Sequence, residues 1–366
     1  MDIEGQITGI KYKIFLEEEL QVFDISKFNI NDVPSYCVLT DDKYLFAVSK
    51  WVSPKRTRSY PYERVYNTLN VSKKITVIPI VKDEGAVGDR DYIQWDTVAL
   101  MSLLDVFVIF AYYEKAEINP KFQNKITNQQ FDNKYIISKI KEIEQYHSSA
   151  LHWNLNELKN NLHIIIDIAK QSYIEIEKQT GTKLHNINGL DNFKSKIGED
   201  ISKFMRFSRE KAKEAQSREI STIQPKESLF SATKAKITIT NYLGGQYFFT
   251  ADEIKINEDT IYLIECKHSN NNSLPSKSDI KDGLLKMILY SNLCDVTVNK
   301  SNINSKAVLS LTSVKLTGTI TSKSATDNIA KFMIDNNITT ENSFLINKLF
   351  QEAEENNFIV KIGYAK

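Results

Sequence analysis

The sequence TIYLIECK, from Thr260 to Lys267, limits the fold of this chain more than any other stretch. Four consecutive apolar residues, Ile261 to Ile264, lead directly into the charged triplet Glu265, Cys266 and Lys267. An apolar run that ends in charged residues is typical of a buried strand whose end reaches the surface. Because side chains alternate along a strand, Glu265 and Lys267 are expected to project to one face and Cys266 to the other.

A partner strand is predicted directly before this one. Residues Phe248 to Ile256 form it, and Asn257 to Asp259 make the turn between the two strands. Asp252 lies on the first strand, so a short hairpin would bring it opposite the end of the second. The sequence therefore predicts two carboxylates and one amine at the same end of a sheet.

Such a cluster suits the binding of a divalent metal ion. Two carboxylates and some backbone oxygens are hard ligands that hold Mg²⁺ and leave water molecules on it. A neighbouring lysine can orient or deprotonate a metal-bound water and offset charge in a transition state. Glu-x-Lys also occurs in exposed strands as a same-face ion pair, so the surrounding elements decide between the two interpretations.

The elements around the two strands favour the catalytic interpretation. A helix from Phe193 to about Glu219 and an alternating strand from Lys234 to Tyr242 are predicted before them. A helix from Asp279 to Leu293 and a strand from Ala307 to Leu311 are predicted after them. The predicted order is therefore helix, three strands, helix and strand.

Asp252, a short spacer and Glu265-x-Lys267 on an apolar strand together resemble the PD-(D/E)XK nuclease superfamily. Thr250 and Ala251 stand where that pattern has a proline before the aspartate, a departure that the superfamily tolerates. The run YLIECKHSNNNSLPSKSDIKDGLLKMILYSNL looks like that of type II restriction endonucleases. The motif resemblance covers about residues 237–293.

The resemblance implies a fold. It places the chain in the α/β (α+β) class, with a PD-(D/E)XK restriction-endonuclease-like core of order αβββαβ. An N-terminal β-rich region and a helical middle segment would precede this core. In the superfamily the helix before the sheet often supplies a further acid, for which Glu210 and Glu214 are the candidates.

The resemblance also implies the roles of the site residues. Asp252 and Glu265 would hold Mg²⁺, and the backbone carbonyl of Cys266 would complete the metal shell. Lys267 would position the attacking water. The reaction would be hydrolysis of a DNA phosphodiester bond with a 5′-phosphate product.

The most basic run of the N-terminal half is KWVSPKRTRSYPYER, which two prolines make a loop. Basic and aromatic residues together suit phosphate contacts and base stacking, and a solvated loop with amphipathic anchors is the alternative. The candidate DNA-binding residues of this loop are Lys55, Arg56, Arg58 and Arg64. Lys286 and Asn292, on the helix after the site, are further candidates for DNA contacts.

The sequence divides into three expected parts. Residues 1–127 form a mixed α/β region that is the expected DNA-recognition part. Residues 128–190 form a helical linker, clamp or dimerisation segment. Residues 191–366 form the catalytic domain with a C-terminal extension.

Composition places the chain among globular proteins, with 42% hydrophobic and 25% charged residues. The net charge of +1 gives no global signature of nucleic-acid binding, so only local clusters of basic residues can indicate such binding. The most apolar segment, Val98 to Tyr113, is too short to span a membrane and contains Asp105. Three cysteines form no recognisable motif, which favours a cytoplasmic location.

The expected function is that of a type II restriction endonuclease, a Mg²⁺-dependent enzyme that cleaves double-stranded DNA at specific sequences. A methyltransferase of the same restriction-modification system would be its genetic partner, and a homodimer would cut both strands. Two alternatives remain open. One is a structure-specific or non-specific nuclease of DNA repair or phage defence, and the other is a DNA-binding protein with an inactive nuclease core.

Overall fold

The computed structural model describes residues 2–41, 43–54, 61–198, 201–221, 235–241 and 245–365. Its strands are β1 (Asp2–Ile7), β2 (Val22–Asp24), β3 (Tyr36–Thr40), β4 (Leu45–Lys50), β5 (Lys73–Pro79), β6 (Val81–Asp83), β7 (Arg90–Tyr92), β8 (Val106–Ala111), β9 (Tyr113–Ile118), β10 (Ile126–Phe131), β11 (Ala235–Asn241), β12 (Gln246–Ala251), β13 (Glu253–Asn257), β14 (Thr260–Ser269), β15 (Cys294–Val298), β16 (Ser301–Asn302), β17 (Asn304–Ser313), β18 (Thr319–Thr321) and β19 (Ile359–Tyr364). Its α-helices are α1 (Pro61–Tyr66), α2 (Trp95–Leu103), α3 (Asn133–Glu144), α4 (Ala150–Asn160), α5 (Leu162–Thr180), α6 (Asn188–Ile197), α7 (Ile201–Ser221), α8 (Lys277–Ser291), α9 (Thr326–Asp335) and α10 (Thr340–Glu355). Among these residues, no helix has both the length and the apolar character that crossing a membrane requires.

The chain forms two compact units. Unit 1 contains Met1–Glu18 and Glu210–Lys366, and unit 2 contains Glu19–Arg209. The boundaries expected after residues 127 and 190 both fall inside unit 2. Helix α4 packs against β8 and helix α5 packs against β9, so these helices pack within unit 2.

Unit 1 is built on two five-stranded sheets. The first has the order β12-β11-β1-β15-β16, and the second has the order β13-β14-β17-β19-β18. Strand β1 lies at the centre of the first sheet, parallel to β11 and antiparallel to β15. Strand β14, which carries the Glu-x-Lys triplet, pairs antiparallel with β13 and parallel with β17.

The mixed α/β class is confirmed, and the detailed order of strands differs from the expectation. The strand expected over Phe248 to Ile256 is interrupted at Asp252, and its halves β12 and β13 belong to different sheets. Strands β15 and β16 also intervene between α8 and β17. The αβββαβ core of the superfamily therefore stays a prediction.

Helix α8 packs against strands β14 and β17 of the second sheet. It begins after Ser276, whose hydroxyl accepts a hydrogen bond from the Asp279 N–H at 3.2 Å, the usual capping arrangement. Ile280, Leu284 and Ile288 recur at helical spacing and are completely buried. This apolar stripe fixes the rotation of α8, and with it the direction of the charged side chains that lie beside the stripe.

Unit 2 contains a five-stranded sheet of order β2-β3-β4-β5-β8 with β8 at its edge. An unpaired strand edge exposes backbone groups that need partners. The buried side chain of Asn154 supplies them: its Oδ1 accepts from the Val108 N–H at 2.7 Å, and its Nδ2 donates to the Val106 carbonyl at 3.0 Å. Trp153 adds a bond from its Nε1 to the Val108 carbonyl at 2.9 Å. Helix α4 thus closes the edge of the sheet with side-chain hydrogen bonds.

Asn154→Ala should destabilise unit 2, since it leaves a buried N–H and a buried C=O of β8 without partners. We expect the free energy of unfolding to fall by about 2–6 kcal/mol, because each of the two buried groups left unpaired costs roughly 1–3 kcal/mol. Urea denaturation followed by circular dichroism measures the change. Asn156→Ala, an exposed position on the same helix, is the matched control. A loss in Asn154→Ala no larger than in the control would contradict the role of Asn154.

Candidate active site

Asp252 lies at the interruption between β12 and β13, where the chain leaves one sheet and enters the other. Glu253 pairs with Ile264, so Asp252 comes next to the charged end of β14. Its Oδ2 accepts a hydrogen bond from the Cys266 N–H at 2.9 Å. This bond holds the Asp252 carboxylate beside Glu265, to which the Asp252 side chain is also hydrogen-bonded.

Glu265 is the most enclosed group of the cluster, with 2% of its surface exposed. Its Oε1 lies 3.1 Å from the Lys267 Nζ, and its Oε2 lies 2.7 Å from the Lys286 Nζ. Both oxygens of one buried carboxylate are therefore engaged by ammonium groups, one from its own strand and one from α8. The structure brings Asp252, Glu265 and Lys267 together at one end of the sheet, where the hairpin argument expected them.

Helix α8 contributes a residue that the sequence did not single out. Asp282 is buried, and its Oδ2 lies 2.8 Å from the Lys267 Nζ. Its Oδ1 is buried and has no hydrogen-bond partner within the described residues. Asp282 and Lys286 are four residues apart on a helix, which puts both on one face. The spacing of four residues was the sequence signal for Asp282. It indicates a site residue only once α8 is known to lie over β14.

The ion pairs shift the pKa values of their members in a consistent way. Burial opposes the charge of Glu265, but the Lys286 and Lys267 ammonium groups together hold its pKa below the ordinary value. Burial likewise opposes the charge of Lys267, and the Glu265 and Asp282 carboxylates raise its pKa nonetheless. The pKa of Lys286 is raised well above its ordinary value, against the effect of burial, chiefly by Glu265. All three groups are therefore charged at neutral pH.

Asp252 behaves differently from its neighbours. Burial, and next the negative charge of Glu265, raises the pKa of Asp252 to about 6. The Cys266 N–H and the more distant Lys286 charge favour its ionised form, but they do not compensate. The positive charge around Asp252 is thus too small to offset burial and the Glu265 charge, and a cation bound beside its carboxylate would lower its pKa.

The donor set fits a divalent cation that is held by few protein ligands. Within the described residues, no group of three or more His, Cys, Asp and Glu side chains is arranged to hold a metal ion. Asp252 and Glu265 nevertheless form a close carboxylate pair, and such a pair with waters is a usual Mg²⁺ site. With Asp282, the cluster has three carboxylates against two lysines, so full ionisation leaves one negative charge uncompensated.

Cys266 has a backbone role at this site. Its N–H binds Asp252, and strand alternation directs its thiol away from Glu265 and Lys267. Burial and the nearby Asp252 charge raise the pKa of the Cys266 thiol to about 12, so the thiol is neutral in the metal-free protein. The carbonyl oxygen of Cys266 is the metal ligand that the resemblance implies.

The predicted DNA-binding loop is described only in part. Lys55, Arg56 and Arg58 lie outside the described residues. Arg64 lies on α1, so the loop that was expected to reach this residue gives way to a helix at Pro61. Its guanidinium NH1 donates to the Lys50 carbonyl at 2.7 Å, which ties α1 to β4.

The remaining candidates also have contacts within unit 1. The Asn292 side chain accepts from the Lys11 N–H at 2.9 Å and donates to the Lys11 carbonyl at 3.1 Å, so it anchors the N-terminal segment to the end of α8. Lys286 is paired with Glu265, and its expected contact with DNA stays a prediction. Glu210 and Glu214 are exposed on α7, and the further acid next to the site is Asp282 from the helix that follows it.

Comparison with known proteins gives no additional identification. No protein-family model, no curated protein and no solved structure matches this chain.

Asp252→Asn should stabilise the metal-free protein above about pH 6. The folded state raises the pKa of Asp252 from 3.8 to about 6, so the folded protein binds this proton more tightly than the unfolded chain does. Wild-type stability is therefore lost as the pH rises from about 4 to 6. Asparagine is neutral and can still accept the Cys266 bond. We expect the variant to be more stable by up to about 3 kcal/mol at pH 8, and the difference to vanish near pH 4.

Urea denaturation in EDTA between about pH 4 and pH 8 measures this difference. Asp335→Asn, an exposed carboxylate at the end of α9, is the control and should change stability by less than about 1 kcal/mol. A variant that is less stable than wild type at pH 8 would show that the ionised Asp252 carboxylate does not destabilise the folded protein.

Proposed function

We propose that this chain is a Mg²⁺-dependent endonuclease that hydrolyses phosphodiester bonds in double-stranded DNA, as type II restriction endonucleases do. The observation that carries the proposal is the meeting of Asp252, Glu265 and Lys267 at the interruption between β12 and β13. The charges that the motif requires come together in three dimensions and are not dispersed along exposed strands. An accidental Glu-x-Lys ion pair would need neither Asp252 nor the acid and lysine of α8.

Asp252 and Glu265 are the groups that would hold the metal, with the Cys266 carbonyl as a third oxygen ligand. A bound Mg²⁺ supplies an activated water and polarises a phosphoryl oxygen. The raised pKa of Asp252 supports this assignment, because a carboxylate kept short of positive charge gains most from a cation. It also implies that the site binds cations more weakly below about pH 6, where Asp252 takes up a proton.

Lys267 would act as a charged hydrogen-bond donor. Glu265 and Asp282 both lie within 3.1 Å of its Nζ and keep its pKa raised, which favours the ammonium form. An ammonium group can orient a water and stabilise negative charge on a phosphate, but it has no lone pair to accept a proton. Of the two roles considered from the sequence, orienting the water is the one that this environment supports.

Target recognition would fall to other parts of the chain. Unit 2 forms a separate compact body with its own sheet, and the basic run that contains Lys55, Arg56 and Arg58 belongs to it. A unit of this size gives room for sequence recognition, which supports the restriction-enzyme form of the proposal. Cleavage of both strands would need two such sites and therefore a second copy of the chain.

Asp252→Asn and Lys267→Met should each lower the rate of DNA cleavage by at least about a hundredfold, because each removes charge at the reacting phosphate. The assay incubates full-length protein with unmethylated phage DNA in Mg²⁺ or in EDTA and separates the products on a gel. Discrete bands that appear only with Mg²⁺ support a sequence-specific endonuclease. A smear would favour a repair or defence nuclease, and a mobility shift without cleavage would favour a DNA-binding protein. Near wild-type cleavage by Asp252→Asn would refute the metal assignment.

The double change of Arg56 and Arg58 to Ala should weaken DNA binding and flatten its salt dependence. Each phosphate contact that is lost lowers the slope of log K against log salt by about 0.9. Fluorescence anisotropy with a labelled duplex in EDTA at several salt concentrations measures the slope. Replacing Lys323 and Lys331, exposed lysines of unit 1, with Ala is the matched control. An unchanged slope in the double variant would place the DNA-binding surface elsewhere.

A further inference from the structure

The charges of α8 complement those of β14 in a crossed arrangement. Asp282 and Lys286 lie one turn apart on the helix, while Glu265 and Lys267 lie two residues apart on the strand. Asp282 pairs with Lys267 at 2.8 Å, and Lys286 pairs with Glu265 at 2.7 Å. Each charge of the Glu-x-Lys triplet is thus matched by the opposite charge from the helix.

We propose that Lys286 is the internal counter-ion of the Asp252–Glu265 carboxylate pair, a positioning residue that releases Glu265 Oε2 when a divalent cation binds. The inference deepens the proposed function and rests on it, since it takes Asp252 and Glu265 as the metal-holding pair. It also gives Lys286 a role that differs from the DNA contact expected from the sequence.

A cation shared by Asp252 and Glu265 needs oxygens that their present partners can release. Asp252 uses Oδ2 for the Cys266 N–H, and its side chain is also hydrogen-bonded to Glu265. Both Glu265 oxygens lie beside ammonium groups, since Lys267 takes Oε1 and Lys286 takes Oε2. A cation that is shared by the two carboxylates therefore needs one of the two lysines to withdraw.

Lys286 is the lysine that is able to withdraw. Lys267 is held by a second carboxylate, Asp282, so it remains paired even when its contact with Glu265 lengthens. Within the described residues, Glu265 is the only carboxylate that lies within 4 Å of the Lys286 Nζ. The Lys286 side chain is 19% exposed, so its flexible stem has a route towards solvent.

The exchange of one cation for another has a structural purpose. Without a counter-ion, Asp252 and Glu265 would be two enclosed carboxylates in close contact, a costly arrangement. Lys286 lets the site fold with its ligands already oriented and then yields to the cation. Its ammonium group therefore competes with the metal for Glu265.

Lys286→Met keeps the apolar stem and removes this competitor. We expect Mn²⁺, a hard cation that serves as the probe, to bind the variant about tenfold more tightly than wild type, since groups around metal ligands change affinity by about 10- to 100-fold. Isothermal titration calorimetry of the full chain without DNA measures the affinity. Lys277→Met is the matched control on the same helix, because Lys277 is exposed and paired with Glu341. Equal or weaker Mn²⁺ binding by Lys286→Met would overturn the inference.

A second measurement uses the unaltered protein and does not depend on folding of the variant. Reductive methylation with peptide-level mass spectrometry reports how accessible the Lys286 amine is. Labelling of Lys286 should rise when Mn²⁺ is added, while labelling of Lys277 stays constant. Labelling of Lys286 that is insensitive to Mn²⁺ would overturn the inference.

The two proposals fail in distinguishable ways. Wild-type protein that binds no Mn²⁺, or that binds it equally well after Asp252→Asn, would refute the metal site and the proposed function with it. Mn²⁺ binding that depends on Asp252 but is not strengthened by Lys286→Met would refute only the role of Lys286.

Discussion

The ion pairs that Glu265 makes with Lys267 and Lys286 determine the geometry of the charged cluster where sheet and helix meet. The pair with Lys286 joins β14 to α8, the pair with Lys267 lies within β14, and the Asp252 carboxylate is fixed against the same strand. Removing one partner of a buried pair leaves an uncompensated charge, which costs about 3–5 kcal/mol. Apolar residues of similar size would join the helix to the sheet at least as well. Buried charges that are poor stabilisers are better explained by chemistry than by the fold.

Electrostatics also restricts the order in which such a site could bind a cation and an anionic substrate. Three carboxylates face two lysines, so the site carries excess negative charge in the absence of a cation. A phosphodiester is itself an anion and would be repelled by this field. Positive charge has to be gained before or together with the substrate. The net charge of the whole chain, +1, conceals this local imbalance completely.

The sequence predicted the parts of the site that depend on local geometry. Strand alternation placed Glu265 and Lys267 on one face, and hairpin pairing brought Asp252 to them. It could not predict Asp282 and the pairing of Lys286, because their i, i+4 spacing acquires meaning only when α8 lies over β14. The interruption at Asp252 was also hidden, since the run from Phe248 to Ile256 contains no glycine or proline. The pairing between strands that are far apart in the sequence was not predicted either. Nothing in the sequence from Asp2 to Ile7 indicates that its partners are β11 and β15.

The central position of β1 has a consequence for folding during synthesis. Ile3 pairs with Ile237, so all of unit 2 is translated between one strand and its neighbour. Contacts between such distant residues form slowly, because a long loop must close first. Unit 2 can collapse early from its own residues, whereas the first sheet of unit 1 waits for β11 and β15 to leave the ribosome. Asp252, Glu265 and Lys267 also follow unit 2 in the chain, so the charged cluster is assembled late as well.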